Sequence, residues 1–407
     1  MKVLSIIAQK PNSTGSGVYL TELVRCFKEL GMKQEVICAC YKDDEIYDTE
    51  NVKYNKLIFN EKDIPIKIAG MSDVMPYESM KYSDFINRDN ELNIWITAFR
   101  TKIIEVINRF RPELIICHHL YLLTAITINA LNNNLVTWNK AKIVGICHNT
   151  DLRQFRQTNL MRAFIKDNIK KLDKVFAPSS EHANIAKELF DIGDEKIEIV
   201  GIGYNSKIFY DMKLRDRDDT KNRVLYVGKV AKKKGVFSLI KAINMLNDEN
   251  INLYIIGGAG DKDEYDEIVN ESKKSKSRIT FLGQKKQAEI AEFYNKSEVF
   301  VLPSFSEGIP MVPLEALACG CKVVISNLLG LKEFYDKNVK NASISYVELP
   351  KLTNVDDASD FELDEFQKRL ANAIKKSLED KNTYKPDLSL LTWESIAKKI
   401  IMLNEYL

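Results

Sequence analysis

Short apolar runs alternate with amphipathic stretches along almost the whole chain. The first amphipathic stretch has apolar residues at Leu20, Leu23, Val24 and Phe27, which is the spacing of one helical face. Strands and helices in regular alternation predict parallel α/β sheets. The predicted strands are Val3–Ala8, Glu35–Cys40, Leu114–Cys117, Ile143–Cys147, Val175–Ala177, Ile197–Val200, Arg223–Gly228, Asn252–Gly257, Arg278–Gly283, Glu298–Pro303 and Cys321–Ser326.

Two irregular regions interrupt this alternation. From Asp43 to Asn93 few periods are clear, so loops or hairpins are expected there. At 211–222 the run DMKLRDRDDTKN has no apolar face, which is typical of a solvated linker. The sequence therefore predicts two doubly wound α/β domains, at 1–205 and 206–388, and a final helical segment at 389–407.

Composition narrows the class of protein without naming a reaction. The 407 residues are 45% hydrophobic and 29% charged, with a net charge of +2, which argues against a dedicated nucleic-acid partner. No apolar run approaches the about 20 residues of a membrane helix. Seven cysteines without framework spacing fit a reducing compartment, so a cytoplasmic location is expected.

The segment 303–324, PSFSEGIPMVPLEALACGCKVV, carries the most specific chemistry. It continues an apolar strand, places Glu307 before a turn, and places Glu315 eight residues later in a predicted helix. Gly308 lets the backbone approach a ligand, and Pro313 suits the first turn of a helix. Carboxylates accept hydrogen bonds from sugar hydroxyls, and free N–H groups at a helix start attract phosphate. Both features together suit a nucleotide-sugar.

This segment resembles the E-x7-E motif of retaining glycosyltransferases with the GT-B fold, glycosyltransferase family 4. The neighbours match as well, with PS before the first glutamate and EALACG around the second. The resemblance implies two Rossmann-like domains that face each other across a cleft. The first domain would take the acceptor and the second the nucleotide-sugar donor. The C-terminal helix, which includes Thr392-Trp393-Glu394, would cross back to the first domain, with Trp393 as a packing anchor.

Two glycine-containing loops precede predicted helices. Gly15 and Gly17 follow the first strand, where the family has a glycine loop beside the donor diphosphate. A plain tight turn explains this short motif equally well. After Gly228, the lysines Lys229 and Lys234 occupy the two cation positions of the family pattern G-R-x4-K-G. Fixed cations stabilise a leaving diphosphate, although lysine in place of arginine lacks a planar fork.

Three of the four histidines end predicted strands in the first half of the chain. His148 follows a strand in the run CHNTD, where the family has a histidine that contacts the donor sugar. His118 and His119 end an earlier strand, and the sequence does not decide which of them lines the cleft. His182 is expected on the surface. A neutral imidazole donates one hydrogen bond, which suits a sugar hydroxyl.

The resemblance assigns roles by position. Glu307 would hold hydroxyls of the donor sugar, Glu315 the ribose hydroxyls, and Lys229 and Lys234 the diphosphate, with His148 fixing the sugar. The other predicted donor-binding positions are Gly15, Gly17, Gly228, Gly283, Gly308, Ile309, Pro310, Met311 and Val312. Backbone N–H groups would make the contacts around Ile309–Val312, except at Pro310.

Several alternatives stay open at this stage. The same fold also serves nucleotide-sugar epimerases and non-catalytic partner subunits. A metal site at Asp216-Arg217-Asp218 or Asp261-Lys262-Asp263 is disfavoured, because lysines replace the metal's charge; no metal or cofactor is expected. The acceptor, a sugar, a lipid-linked glycan or a small molecule, is undetermined. The amphipathic stretch Trp95–Phe110 suits a core-packed helix better than a peripheral contact with the inner membrane face.

Overall fold

Two compact units make up the chain. The computed structural model describes residues 1–72, 75–214, 222–259, 261–328, 330–351 and 359–405. One unit contains residues 1–202 together with the helix that begins at Trp393, and the other runs from Gly203 to Thr392. Most of the predicted linker, 215–221, lies outside the described residues, and so do Asp216-Arg217-Asp218 and Gly260.

The first unit is built on a parallel sheet, as predicted. Its described strands follow the order β3-β2-β1-β6-β7-β8-β9, and every neighbouring pair is parallel. Two very short strands, β4 and β5, form a separate parallel pair. The strands are β1 (Lys2–Ile7), β2 (Lys33–Cys40), β3 (Val52–Ile58), β4 (Ala69–Gly70), β5 (Met80–Lys81), β6 (Leu114–His118), β7 (Lys142–Ile146), β8 (Lys174–Ala177) and β9 (Ile197–Ile199).

Helices connect these strands and bury their apolar faces on the sheet. They are α1 (Gly15–Glu29), α2 (Asp89–Phe110), α3 (Leu122–Asn132), α4 (Thr150–Gln157), α5 (Arg162–Ile169) and α6 (Ser180–Phe190). In α2 the side chains of Trp95, Phe99 and Ile103 are fully buried, so the core-packed interpretation of this amphipathic stretch is the correct one. Within the described parts of the chain, every helix is too short or too polar to span a bilayer.

The second unit repeats the same architecture with six described strands. The order is β12-β11-β10-β13-β14-β15, again with all neighbours parallel. The strands are β10 (Arg223–Val227), β11 (Asn252–Ile256), β12 (Arg278–Gly283), β13 (Val299–Leu302), β14 (Lys322–Ser326) and β15 (Ile344–Val347). The helices are α7 (Val236–Leu246), α8 (Lys262–Ser272), α9 (Gln287–Asn295), α10 (Val312–Ala318), α11 (Leu331–Asn338) and α12 (Asp360–Glu379).

The last helix, α13 (Trp393–Glu405), packs within the first unit. Its Trp393 ring is buried and lies edge-on to Tyr19 of α1, with 4.7 Å between the ring centroids. Glu394 forms an ion pair with Arg25 of α1 at 2.9 Å. The anchoring role expected of Trp393 therefore agrees with its burial and its ring contact.

The expectation of loops or hairpins between Asp43 and Asn93 is wrong in part. Strand β3 lies in this region and pairs in parallel with β2 over seven residues. Its sequence VKYNKLI alternates polar and apolar residues because it is an edge strand with one exposed face. Strand β15, at one edge of the second sheet, was also missed, and three of its four residues are only partly buried.

Each sheet contains one topological switch point, where the order of the strands reverses. In the first unit the switch lies between β1 and β6, and in the second between β10 and β13. Parallel α/β sheets bind ligands in the crevice at the carboxyl ends of such strands. The loops that follow β10 and β13 carry Lys234 and Glu307; in the first unit, Gly15 begins the helix that follows β1, and His118 is the last residue of β6.

We expect Gly235→Ala to lower the free energy of unfolding more than Gly283→Ala. Both glycines have a positive φ, +71° and +66°, and a left-handed non-glycine residue costs about 1–2 kcal/mol. A Cβ at Gly235 would also lie 2.0 Å from the carbonyl oxygen of Pro303, whereas a Cβ at Gly283 meets nothing within 4 Å. Urea unfolding of both variants measures the difference, and equal losses would contradict this packing.

Candidate active site

An ion pair joins the two loops at the switch point of the second unit. The Nζ of Lys234, in the loop between β10 and α7, lies 2.7 Å from Oε1 of Glu307, in the loop after β13. The two side chains keep 25% and 20% of their surface exposed, so the pair is accessible to a ligand. Two of the residues predicted to bind a donor are thus brought into direct contact within one unit.

Two further side chains hold this arrangement in place. The hydroxyl of Ser304, which is fully buried, donates to Oε1 of Glu307 at 2.9 Å. The hydroxyl of Tyr226, the next-to-last residue of β10, donates to the carbonyl oxygen of Lys229 at 2.7 Å. Ser304 therefore orients the carboxylate of Glu307, and Tyr226 orients the loop of Lys229, before any ligand binds.

Positive charge accumulates around Lys229. Burial is the main cause that lowers the pKa of Lys229 to about 8, and the positive charges of Lys233 and Lys234 lower it further, while Glu307 opposes the shift. One carboxylate therefore faces three ammonium groups. A site with an excess of positive charge in partly buried surroundings favours an anionic ligand.

The segment from Gly308 to Val312 connects Glu307 to α10. The side chain of Ile309 is buried, whereas Pro310, Met311 and Val312 are partly exposed. Pro313 occupies the first turn of α10, as predicted, and Met311 accepts the first backbone hydrogen bonds of the helix. Glu315 lies within α10, and the hydroxyl of Tyr294 donates to its Oε2 at 3.4 Å.

The glycines of the second unit allow neighbouring loops to pack closely. A Cβ at Gly228 would lie 2.8 Å from the hydroxyl oxygen of Tyr226. Gly283 ends β12, and its carbonyl oxygen accepts a hydrogen bond from the N–H of Gly257 at 2.9 Å. Gly228 and Gly283 therefore lie at the carboxyl ends of the strands, where Lys229 and Lys234 also lie.

The glycine loop of the first unit leads directly into α1. The hydroxyl of Thr14 caps the helix by accepting from the N–H of Gly17 at 3.1 Å. A Cβ at Gly17 would lie 2.6 Å from the carbonyl oxygen of Lys10, so the packing of the chain itself requires this glycine. A Cβ at Gly15 meets nothing within 4 Å, which leaves open space at the start of the helix.

Three histidine rings gather at the carboxyl ends of β6 and β7. The ring of His148 lies edge to edge with that of His118, with 5.3 Å between centroids and an angle of 15° between the planes. The centroid of the His119 ring lies 4.7 Å from that of His148, and the ring of Tyr19 in α1 lies edge-on to His148 at 5.2 Å. His118 and His119 are both buried, and burial lowers the pKa of each to about 3, so both imidazoles are neutral.

The carboxylate of Asp151 anchors the loop of His148. It accepts hydrogen bonds from the N–H groups of Leu120, His148 and Leu152, at 2.7 to 3.3 Å. Asp151 is fully buried, and burial raises its pKa to about 6 against the opposing effect of these bonds. Backbone donors thus satisfy a carboxylate that has no access to solvent.

His182 is buried and not on the surface as expected. It lies in the first turn of α6, where its Nδ1 is 2.7 Å from the hydroxyl oxygen of Ser179, and burial lowers its pKa to about 4. The helix start supplies a polar partner that a single-residue interpretation of the sequence did not consider.

Asp261 caps α8 by accepting from the N–H of Glu264, which explains the Asp-Lys-Asp run as a helix start.

Other residues of the site have no signal of their own in the sequence. Ser304 and Tyr226 are common residues at the end of strands, and only their contacts with Glu307 and Lys229 mark them. Tyr19 lies on the buried face of α1 and reads as a core residue. Nothing in the spacing of His118 and His148 indicates that their rings touch, because 30 residues separate them.

Comparison with known proteins places the chain in a family. The model for glycosyl transferases group 1 matches residues 211–360, and the model for glycosyltransferase family 4 matches residues 13–207. The chain therefore belongs to the glycosyltransferases that these two models describe. This confirms the resemblance that the E-x7-E segment carries.

Individual relatives are distant. An uncharacterized glycosyltransferase of Methanocaldococcus jannaschii is 26% identical over 227 residues, which is 52% of this chain and 55% of the relative. The chain spans about half the length of the curated relatives it matches.

Solved structures match over the whole chain. Sucrose-phosphate synthase from Thermosynechococcus elongatus is 17% identical, with a TM-score of 0.68, over 100% of this chain and 98% of that one. HepE of Anabaena, in complex with UDP-glucose, is 14% identical, with a TM-score of 0.61, over 100% of both chains. These likenesses, with the two parallel sheets, confirm the predicted GT-B fold.

We expect His119→Asn to reduce the loss of stability that acid causes. The folded-state pKa of His119, about 3, lies below the ordinary value of 6.5. Its contribution to stability is therefore complete above pH 6.5 and is lost as the pH falls towards 3, because the unfolded chain binds the proton. Between pH 7 and pH 5 the wild type should lose about 2 kcal/mol more than the variant.

Asparagine suits this position because His119 has a φ of +73°, which asparagine tolerates well. Urea unfolding at both pH values gives the two free energies for each protein. A pH dependence that is the same in wild type and variant would mean that the imidazole is not held neutral.

Proposed function

We propose that this chain is a glycosyltransferase that moves a sugar from a nucleotide-diphosphate sugar to the hydroxyl of an acceptor. The observation that carries the proposal is the contact of Lys234 with Glu307 at the switch point, at 2.7 Å. A diphosphate needs cations and a sugar needs hydrogen-bond acceptors. A ligand in which these two groups are adjacent, as in a nucleotide-sugar, meets both requirements at one place.

The individual roles follow from this arrangement and from the family motif. Lys229 and Lys234 neutralise the diphosphate, whose charge grows as the glycosidic bond breaks. Glu307 accepts from hydroxyls of the transferred sugar, and Glu315 from those of the ribose. His148, in the first unit, contacts the sugar.

Backbone groups supply the remaining contacts in this proposal. The N–H groups of Ile309, Met311 and Val312 face phosphate and sugar, and the absence of side chains at Gly228, Gly283 and Gly308 gives the nucleotide access. The partial exposure of residues 310–312 supports this role. At Gly15, the open space at the start of α1 supports a contact with the diphosphate. Gly17 serves the packing of its own loop as well.

The donor is proposed to be a UDP-sugar or a GDP-sugar that carries a hexose. HepE of Anabaena, which shares the fold over its whole length, has been solved with UDP-glucose, and this supports a uridine nucleotide as the first candidate. The acceptor is a sugar, a lipid-linked glycan or a small molecule, and the pathway is the biosynthesis of a glycan or glycoconjugate.

Retention of configuration and independence from metal ions complete the proposal. In a front-face displacement the leaving phosphate oxygen takes the proton of the acceptor hydroxyl, so no nucleophile of the protein is needed. Three ammonium groups, those of Lys229, Lys233 and Lys234, supply charge that a divalent metal would otherwise provide. The anomeric configuration of the product, read by NMR, and activity in the presence of EDTA test these two points.

We expect UDP to raise the melting temperature of the chain by about 5 to 10 °C at 100 times its dissociation constant. Such a concentration adds about 2.7 kcal/mol of stability, and one kcal/mol corresponds to about 2–4 °C for a unit of this size. Uridine, which lacks the diphosphate, should give a much smaller shift. A panel of UDP-, GDP- and ADP-sugars identifies the base.

The lysine variants give this experiment its control. Lys234→Ala should remove the advantage of UDP over uridine, whereas Lys232→Ala should keep it. Lys232 is exposed and forms an ion pair with Glu267 at 2.5 Å, away from Glu307. If no nucleotide in the panel changes the melting temperature, or if both variants behave alike, the assignment of the diphosphate site is wrong.

Glu307→Ala and Lys234→Ala should each lower turnover of the best nucleotide-sugar by about 10²–10³-fold, because each removes a group that acts on the reacting donor. Their urea midpoints should change far less. Release of free nucleotide from the nucleotide-sugar measures turnover without knowledge of the acceptor. Full activity in either folded variant would refute the site, and epimerised donor in the absence of acceptor would indicate an epimerase.

A further inference from the structure

His118 and His148 share a polar contact that the role of His148 alone does not explain. Nδ1 of His118 lies 3.1 Å from Nε2 of His148, and the planes of the two rings differ by only 15°, so the contact runs edge to edge within the ring planes. His118 is 2% exposed, and it ends β6 beside β7. A contact at this distance requires that one of the two nitrogens carries a proton and that the other does not.

Both rings are neutral. Burial lowers the pKa of His118 to about 3, and burial, with the neighbouring imidazoles of His119 and His118, holds the pKa of His148 well below its ordinary value. Each ring therefore has a single N–H group near neutral pH. Two arrangements are compatible with the contact: either His118 donates from Nδ1, or His148 donates from Nε2.

The second nitrogen of His118 decides between them. Its Nε2 is buried and has no hydrogen-bond partner among the residues that the structure describes. If His148 donated, His118 would have to carry its proton on Nε2, which would leave a buried donor unsatisfied. If His118 donates from Nδ1, the unsatisfied atom is a bare acceptor nitrogen. Buried donors without partners are rarer than buried acceptors without partners, so the arrangement in which His118 donates from Nδ1 is favoured.

The backbone of His148 is held as firmly as its ring. Its N–H donates to the carboxylate of Asp151 at 3.2 Å, and the same carboxylate accepts from the N–H of Leu120 at 2.7 Å, next to His119. One buried carboxylate thus ties the loop after β6 to the loop after β7. The distance between His118 and His148 is therefore built into the fold and does not depend on a bound ligand.

We propose that His118 is a positioning residue that fixes His148 as the Nδ1–H tautomer by donating from its own Nδ1 to Nε2 of His148. The proton of His148 is then on the nitrogen that points away from His118. The consequence for the reaction rests on the proposed function: His148 donates a hydrogen bond to a donor-sugar hydroxyl and does not accept one. In this proposal His118 does not contact the sugar itself; it affects the reaction by setting the tautomer of His148.

The tautomer is measured directly by ¹⁵N NMR on the full chain with labelled histidine. The chain has only four histidines, so His118→Asn and His148→Asn variants assign the signals. The spectrum of the wild type should show His148 neutral, protonated at Nδ1 and hydrogen-bonded through a bare Nε2. An imidazolium, or a proton on Nε2 of His148, would overturn the proposal without any activity assay.

Two variants of nearly equal size isolate the hydrogen bond. The amide nitrogen of His118→Asn occupies the place of Nδ1 and can donate to His148, whereas His118→Leu cannot. The Asn variant should keep the Nδ1–H form of His148, and the Leu variant should show a mixture of tautomers. If the Leu variant does not fold, the comparison of wild type and Asn variant still decides, because loss of the single tautomer in the Asn variant counts against the proposal.

Activity provides a second, separate readout with the nucleotide-sugar that gives the largest thermal shift. His118→Leu should lower kcat about tenfold, the usual effect of one hydrogen bond, and His118→Asn should restore it, while the thermal shift by UDP stays unchanged in both. If NMR shows a single tautomer of His148 but His118→Leu leaves kcat unchanged, the tautomer assignment stands and His148 has no role in the reaction. Equal kcat losses in Asn and Leu variants would overturn the positioning role.

Discussion

The alignment of parallel strands at their carboxyl ends is the constraint on which both candidate sites depend. In the second unit, β10 and β13 are neighbours although 71 residues, 228–298, lie between the end of β10 and the start of β13, and the loops that follow the two strands bring Lys234 to Glu307. In the first unit, β6 and β7 bring His118 to His148 in the same way. Neither contact is local in the sequence. Both arise because hydrogen bonding between parallel strands fixes where each loop begins.

The two units use this shared geometry for different chemistry. The second unit presents ammonium groups and one carboxylate, and burial of Lys229 leaves its positive charge poorly solvated. The first unit presents imidazoles that burial keeps neutral, and the carboxylate of Asp151 beside them accepts hydrogen bonds from backbone N–H groups. Charged groups suit a diphosphate, and neutral donors suit hydroxyls, which need direction more than charge. A nucleotide-sugar contains both kinds of group.

The sequence predicts the parts of this protein in which one local signal decides. Apolar runs located the central strands, and Pro313 marked the start of α10. Strands β3 and β15 were missed because their apolar signal is weak: polar residues interrupt β3, and three of the four residues of β15 are only partly buried. His182 was placed on the surface because its partner, the hydroxyl of Ser179, becomes close only when the helix forms. The supports Ser304 and Tyr226 were invisible for a similar reason: their function is a contact between loops.

The lysine at position 229 changes how a cation can behave at this site. A guanidinium stays charged at any physiological pH, whereas burial lowers the pKa of Lys229 to about 8, within reach of neutral conditions. An anion bound beside it favours the charged form, so binding of a diphosphate and protonation of Lys229 support each other. In the proposed reaction, departure of the nucleotide would remove that support. If the proposed diphosphate site is correct, the charge of the group at this family position would respond to the ligand, while Lys234 is in contact with Glu307.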